Sequence, residues 1–245
     1  MKKSLTFGLL GLFLFLCFST LSGFSQDAKG LLNKIIEASG GREALAAIKD
    51  TTVSGSMEMI QMGVSGSIYF YHKEPNKLRT DIEVMGTVIT SAFDGEVGWM
   101  VDPTTGAKQE LPADALEDAK NEALGFGFVW LIHPEKFGIT SVDKGKETVE
   151  DKEYIVLEQT FDNGKTSIYY IDPGTYLPYR MVTTTTNQYG IEVEQETLLT
   201  DYKKADGIMF AHTITILQDG EEFGTMTVDE VKFNTGLEDS LFKME

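Results

Sequence analysis

Residues 64–95 read VSGSIYFYHKEPNKLRTDIEVMGTVITSAFDG, and their side chains alternate with a period of two. Ile68, Phe70 and His72 fall on one side against Ser67, Tyr69 and Tyr71, and Leu78, Thr80, Ile82 and Val84 oppose Arg79, Asp81 and Glu83. Alternation of this kind gives a strand one face for a core and one for water. Glu74-Pro75-Asn76 and Asp94-Gly95 supply the turns. A parallel crossover needs about a dozen residues or more, so connections this short predict antiparallel neighbours.

Working outward, the same punctuation recurs at Asp102-Pro103 with Gly106, Asp162-Asn163-Gly164, Asp172-Pro173-Gly174 and Asp219-Gly220. It delimits strands near 51–61, 64–73, 77–85, 87–93, 97–101, 153–161, 165–172, 178–186, 191–201, 208–218 and 222–233. Before them, Leu31, Leu32, Ile35 and Ile36 recur at helical spacing, Gly40-Gly41 stops that helix, and residues 42–48 make a second short one. A further helix is predicted from Pro112 through Leu124, with Ala115, Leu116, Ala119 and Ala123 on one side. The apolar run Phe126 to Ile132 follows it and ends at His133-Pro134. The expected fold is mainly β within α+β: a curved, unclosed antiparallel barrel of about eleven strands, its concave face covered by the N-terminal and mid-chain helices.

Lys2 and Lys3, the apolar run Leu5 to Phe18 and the small residues around Ser22 to Ser25 have the layout of a secretory signal peptide cleaved after Ser25. The expected organisation is therefore a removed leader, 1–25, and one β domain, 26–245, delivered to the periplasm. Leu16 before Cys17 does not fit a lipoprotein signal. Without Cys17 the mature chain has no thiol, which excludes disulfides, cysteine zinc sites and thiol catalysis. Losing the two leader lysines leaves 19 basic against 38 acidic residues, a net charge of −19. That balance disfavours nucleic acid and anionic membrane surfaces, and no later stretch approaches the length of a spanning helix.

Motifs for chemistry are missing. His72, His133 and His212 stand in separate segments without a His-x-x-x-His pair. His133 reads as a helix end and His212 as a strand polar residue. Glu192, Glu194 and Glu196 alternate along one strand and read as a solvated face that also guards a sheet edge, not as a glycosidase pair. No Gly-x-Ser-x-Gly elbow or phosphate loop occurs in the required context. Arg79 shares a face with Asp81 and Glu83, which predicts an outward, salt-bridged position.

The positive signal is apolar. Met57, Met59, Met62, Met85 and Met100 fall in the first five expected strands beside Phe70, Phe93 and Trp99, and methionine lets a surface re-pack around varied chains. Plain core filling accounts for any single one of them. As a group they mark a candidate apolar cavity lined by Met57, Met59, Ile68, Phe70, Leu78, Ile82, Trp99, Phe128 and Trp130.

Phe70, Pro75-Asn76, Leu78-Arg79, Ala92-Phe93-Asp94-Gly95, Trp99 and Asp102-Pro103 form an ordered series similar to that of the periplasmic carriers of outer-membrane lipoproteins, the LolA and LolB-like family. The second half continues it with Tyr170-Ile171-Asp172-Pro173, Leu177-Pro178, Thr200-Asp201-Tyr202, Asp206-Gly207-Ile208 and the tail Asn234 to Phe242. The resemblance implies an unclosed barrel with a helical lid and an interior that receives acyl chains, with lipid or an acylated lipoprotein as partner and no cofactor. It departs at Glu74, where these carriers often have a basic residue before the proline. The resulting expectation is a non-catalytic lipid or lipoprotein-acyl carrier; the alternatives are an envelope interaction module in the same fold, without cargo, and an enzyme whose polar cleft the linear sequence hides.

Overall fold

The computed structural model describes residues 28–186 and 191–244. The expected leader, Cys17 and the cleavage site lie outside them. The chain opens with helix α1 (Ala28–Ser39) and the short α2 (Arg42–Ala46), then runs through strands β1 (Asp50–Met59), β2 (Val64–Lys73), β3 (Lys77–Val84), β4 (Thr87–Phe93), β5 (Gly98–Val101) and β6 (Lys108–Glu110). Helices α3 (Ala113–Phe126) and α4 (Val129–Ile132) interrupt it. Strands β7 (Thr140–Val149), β8 (Lys152–Thr160), β9 (Thr166–Ile171), β10 (Pro178–Thr186), β11 (Glu192–Ala205), β12 (Ile208–Gln218) and β13 (Glu221–Phe233) complete it.

The thirteen strands of the described residues join one sheet in the order β6-β5-β4-β3-β2-β1-β13-β12-β11-β10-β9-β8-β7, and each pair is antiparallel. The two ends, β6 and β7, do not pair with each other, so the sheet stays open. Bulges at Ser54/Gly55, Asp143/Gly145, Pro178/Arg180 and Ile216/Leu217 add local bend and twist. The expected count of about eleven strands falls short by β6 and β7, which are the two margins. Glu192, Glu194 and Glu196 do not guard an edge, because β11 lies between β10 and β12; Glu196 instead pairs with Arg180 at 2.8 Å.

Register separates the faces. Thr51, Val53, Gly55 and Met57 sit opposite His72, Phe70, Ile68 and Gly66, which continue to Leu78, Thr80 and Ile82. These residues share the side that the helices cover. Leu31, Leu32, Ile35 and Ile36 of α1 pack with Leu45, Leu131 and Ile132 on Leu157, Ile171 and Ile208 of β8, β9 and β12. The Arg42 guanidinium donates to the Ile132 carbonyl at 2.8 Å and so joins α2 to α4. The turn after α1 requires Gly40: its φ is 135°, and an added Cβ would come within 2.8 Å of Ile208 Cδ1. At the other end α3 sets Leu116, Ala119, Ala123 and Phe126 against Leu78 and Phe93.

The outer side is closed differently. Tyr154 stacks on Tyr179 at 5.0 Å and meets Tyr170 edge-on, over Val156 and Val182. Farther along, the Asp50 carboxylate accepts the Thr235 and Gly236 amides at 2.6 and 3.0 Å, which turns the C-terminal segment across the sheet and brings Phe242 onto Trp99. No helix of the described residues is long and apolar enough to cross a membrane.

Candidate ligand site on the concave face

Between the two helical packing regions lies a third apolar cluster. Val53, Ile68, Met226 and Val228 are buried at its base, and Met57, Phe70, Ile82, Phe126, Phe210 and Ile214 stand half-buried around them. The surface comes from β1, β2, β3, β12 and β13, with the end of α3 over it. Half-buried apolar side chains on a concave sheet are the arrangement a ligand chain needs, since contact removes their remaining surface from water.

Six of the nine candidate residues share this side of the sheet: Met57, Met59, Ile68, Phe70, Leu78 and Ile82. Two others belong to the helical cover. Phe128 precedes α4 and meets the Phe233 ring edge-on at 6.2 Å; Trp130 stacks on Tyr169 at 6.2 Å and donates from Nε1 to the Gly125 carbonyl at 3.3 Å. Trp99 stands apart. It pairs with Ala92, whose other partner is Arg79, so it lies on the outer side, 2 % exposed, with Nε1 donating to the Phe242 carbonyl at 2.7 Å. Trp99 anchors the C-terminal segment and does not line the concave face. Arg79, on the same outer side, places Nε 3.1 Å from both Asp81 oxygens.

The opposite wall is more polar. Tyr169, Ser167 and Gln159 come from β9 and β8, with Ser167 and Gln159 buried and the Tyr169 phenol pushed up to about 12 by burial. Glu122 of α3 keeps solvent contact although protein surrounds it; burial, and then Asp118, raises its carboxyl. Asp118 itself receives Lys165 Nζ at 2.5 Å, a tie from α3 to the β8–β9 turn.

No family model and no curated protein matches the sequence. Solved structures do. A DUF1329 family protein from Desulfovibrio piger superposes with a TM-score of 0.58 at 15 % identity, covering 88 % of this chain and 97 % of that one. A putative outer membrane lipoprotein-sorting protein domain from Vibrio parahaemolyticus gives 0.57 at 15 %, covering 89 % and 97 %. A LolA superfamily protein from Nitrosomonas europaea gives 0.58 at 14 %, covering 88 % and 97 %.

The chain has a LolA-like fold. Its order of strands and helices accounts for the motif series read in the sequence, because the Asp-Gly and Asp-Pro turns sit between the strands they were expected to separate.

The LolA-like frame also shows what Glu74 does. Its Oε1 accepts the Phe128 amide at 2.7 Å, at the start of α4. His72, two residues earlier on the same side, approaches the other end of the junction, with Nε2 3.0 Å from the Ala123 carbonyl of α3. Gly127 lies between: a Cβ there would stand 2.6 Å from His72 Cε1 and 2.9 Å from both Glu74 oxygens. One strand end thus holds the last turn of α3 and the first amide of α4 against the sheet. Burial pushes the Glu74 carboxyl up to about 7, opposed by the amides of Phe128 and Val129, and burial lowers His72 to about 4, opposed by the Ala123 carbonyl. Thr51 Oγ1, His72 Nδ1 and Glu74 Oε2 are buried without a hydrogen-bond partner among the described residues; Thr51 sits directly across from His72.

The candidate cavity residues did not include His72 or Glu74. Parity carried the signal for His72, since it alternates with Ile68 and Phe70. The family resemblance marked Glu74 as a departure, but nothing local pointed to its partner 54 residues away. His133 follows α4, with Nδ1 3.3 Å from Glu135, and His212 has Nδ1 3.0 Å from the Phe210 carbonyl. Among the described residues, no three His, Cys, Asp or Glu side chains are grouped to hold a metal. Two grooves lie away from the concave face: one of about 540 Å³ at the β1–β4 hairpin end, and one of about 410 Å³ between α1 and Tyr176.

Proposed function

We propose that this protein is an exported, non-catalytic carrier that receives the acyl chain of a lipid or lipoprotein on its concave face and works in the periplasm as a single domain, residues 26–245. The carrying observation is the half-buried apolar surface of Met57, Phe70, Ile82, Phe126, Phe210 and Ile214 under a helical cover. Binding a chain there needs displaced water and apolar contact, not a reactive group. The LolA-like fold supports this reading, as does the leader-like N-terminus.

A second reading is an envelope interaction module without cargo. The two grooves favour it, because both lie off the concave face. Native mass spectrometry of the chain purified without detergent, followed by titration of the delipidated protein with a fluorescent fatty-acyl probe, separates the two. Co-purifying acyl masses and saturable probe binding are expected; a clean apo mass together with no probe binding overturns the carrier reading.

A further inference from the structure

The β1–β2 and β3–β4 hairpins end side by side, because β2 and β3 are paired along their length. Their tips are apolar. Ile60 and Met62 form the turn after β1, 48 and 45 % exposed, and Met85 forms the turn after β3, 91 % exposed. Val88, across from Glu83, is 51 % exposed. Seven large hydrophobic residues are exposed among the described residues, and four of them meet at this corner. Met85 also has a φ of 52°, a conformation that costs a residue with a Cβ and favours Gly, Asn or Asp. Neither folding nor packing calls for an apolar side chain there.

Beside these tips runs the groove of about 540 Å³, bounded by Met57 and Met85 and carrying Glu58 and Glu83. Neither carboxylate has an ion-pair partner among the described residues. Groove and tips together offer adaptable methionine surface next to two unpaired negative charges, in a chain whose net charge is −17.

We propose that this hairpin corner docks a basic polypeptide segment of a partner protein, its apolar side chains against Met62, Met85 and Val88 and its Lys or Arg side chains on Glu58 and Glu83. Charge decides between a polypeptide and a bilayer. Two free carboxylates beside the tips repel an anionic lipid surface, whereas they complement cationic side chains. Shape agrees, since a concave groove accepts protruding side chains and a bilayer presents none. Glu58 and Glu83 alternate with Met57 and Ile82 and so stand on the opposite side of the sheet from the concave apolar cluster, and the site stands or falls independently of acyl binding.

The test uses the whole protein labelled with 13C-methyl methionine, its resonances assigned by single Met→Leu substitutions. The probes are a 14-residue peptide of alternating Leu and Lys, its Leu/Glu counterpart, and vesicles of phosphatidylcholine with and without phosphatidylglycerol. The Leu/Lys peptide is expected to shift Met62 and Met85 while leaving Met57, on the concave face, and Met181 and Met209 in place. The double variant E58Q/E83Q should weaken that binding about tenfold, as loss of two exposed charge contacts implies. Equal shifts with the Leu/Glu peptide, shifts spread over all methionines, or unchanged affinity in the double variant overturns the proposal. So do the same methyl shifts produced by vesicles alone, which would assign the corner to a bilayer.

Discussion

His72, near the end of β2, and Glu74, in the turn that follows it, are two residues apart, and burial moves their protonation in opposite directions. Glu74 takes its proton at about 7 in the folded chain against 4.5 for the free group, so the stability tied to its protonation is fully present below pH 4.5 and is lost as pH rises through 7. His72 falls from 6.5 to about 4, so its contribution is present above pH 6.5 and is lost as pH falls through 4. Each shift corresponds to roughly 3 kcal/mol, and between pH 4.5 and 6.5 the two slopes oppose one another. The wild-type unfolding free energy should therefore stay nearly level across that window. Glu74→Gln leaves the histidine slope alone, and stability should fall as pH drops from 6.5 towards 4. His72→Gln leaves the carboxyl slope, and stability should rise as pH drops from 7 towards 4.5. Urea titrations at half-unit pH intervals check all three curves; a wild-type curve parallel to either variant would refute the opposition. The sequence could show only half of this pair. His72 alternates with Ile68 and Phe70 and so had to face inward, whereas the role of Glu74 depends on an amide brought to it by a helix folded from a distant segment.

Elements were legible in proportion to the apolar surface they bury. The Leu31, Leu32, Ile35 and Ile36 stripe and the alternation of β2 and β3 state their partners in their own spacing, and both formed as expected. β6, with its exposed Lys108, Gln109 and Glu110, and β7, with lysines, threonines and no large inward run, carry no such pattern. They are the sheet's margins, where a strand has one neighbour. An edge must also discourage further pairing, and β7 does so with a bulge at Asp143/Gly145 and with Lys144 and Lys146, each half-exposed and paired to β8 through Glu158 and Glu153. The polarity that hid this strand from a periodicity reading is thus its protection. Lys144→Val together with Lys146→Val should leave the fold intact, since surface changes of this kind stay within about 1 kcal/mol, but should make the protein self-associate. Sedimentation velocity over a concentration series reads this directly; a variant that sediments identically to wild type at every concentration would show that the bulge alone suffices.

At the scale of the whole molecule the sheet has two faces with different work, and Trp99 shows why sequence alone confused them. A tryptophan in an apolar strand reads equally well as core anchor or cavity wall; only the pairing with Ala92 and the bond to the Phe242 carbonyl put it on the outer side. The inner face keeps Ile82, Phe70 and Met57 half-buried over a sealed base, while the outer face exposes Thr200 and ties down the C-terminal segment. If acyl chains bind on the concave side, substitutions on the two faces must separate. Ile82→Gln replaces apolar contact by an amide that has to shed water, and should weaken the acyl probe about tenfold with a smaller effect on stability, because Ile82 is only half-buried. Thr200→Gln should change neither. Trp99→Phe should do the reverse of Ile82→Gln: it loses the indole hydrogen bond and about 1 kcal/mol of stability while probe affinity holds. Fluorescent acyl-probe titration alongside urea unfolding of the same three variants gives both axes at once. Equal loss of probe affinity in Trp99→Phe and Ile82→Gln would mean that the probe reports general loosening of the fold, and the concave face would lose its claim to the ligand.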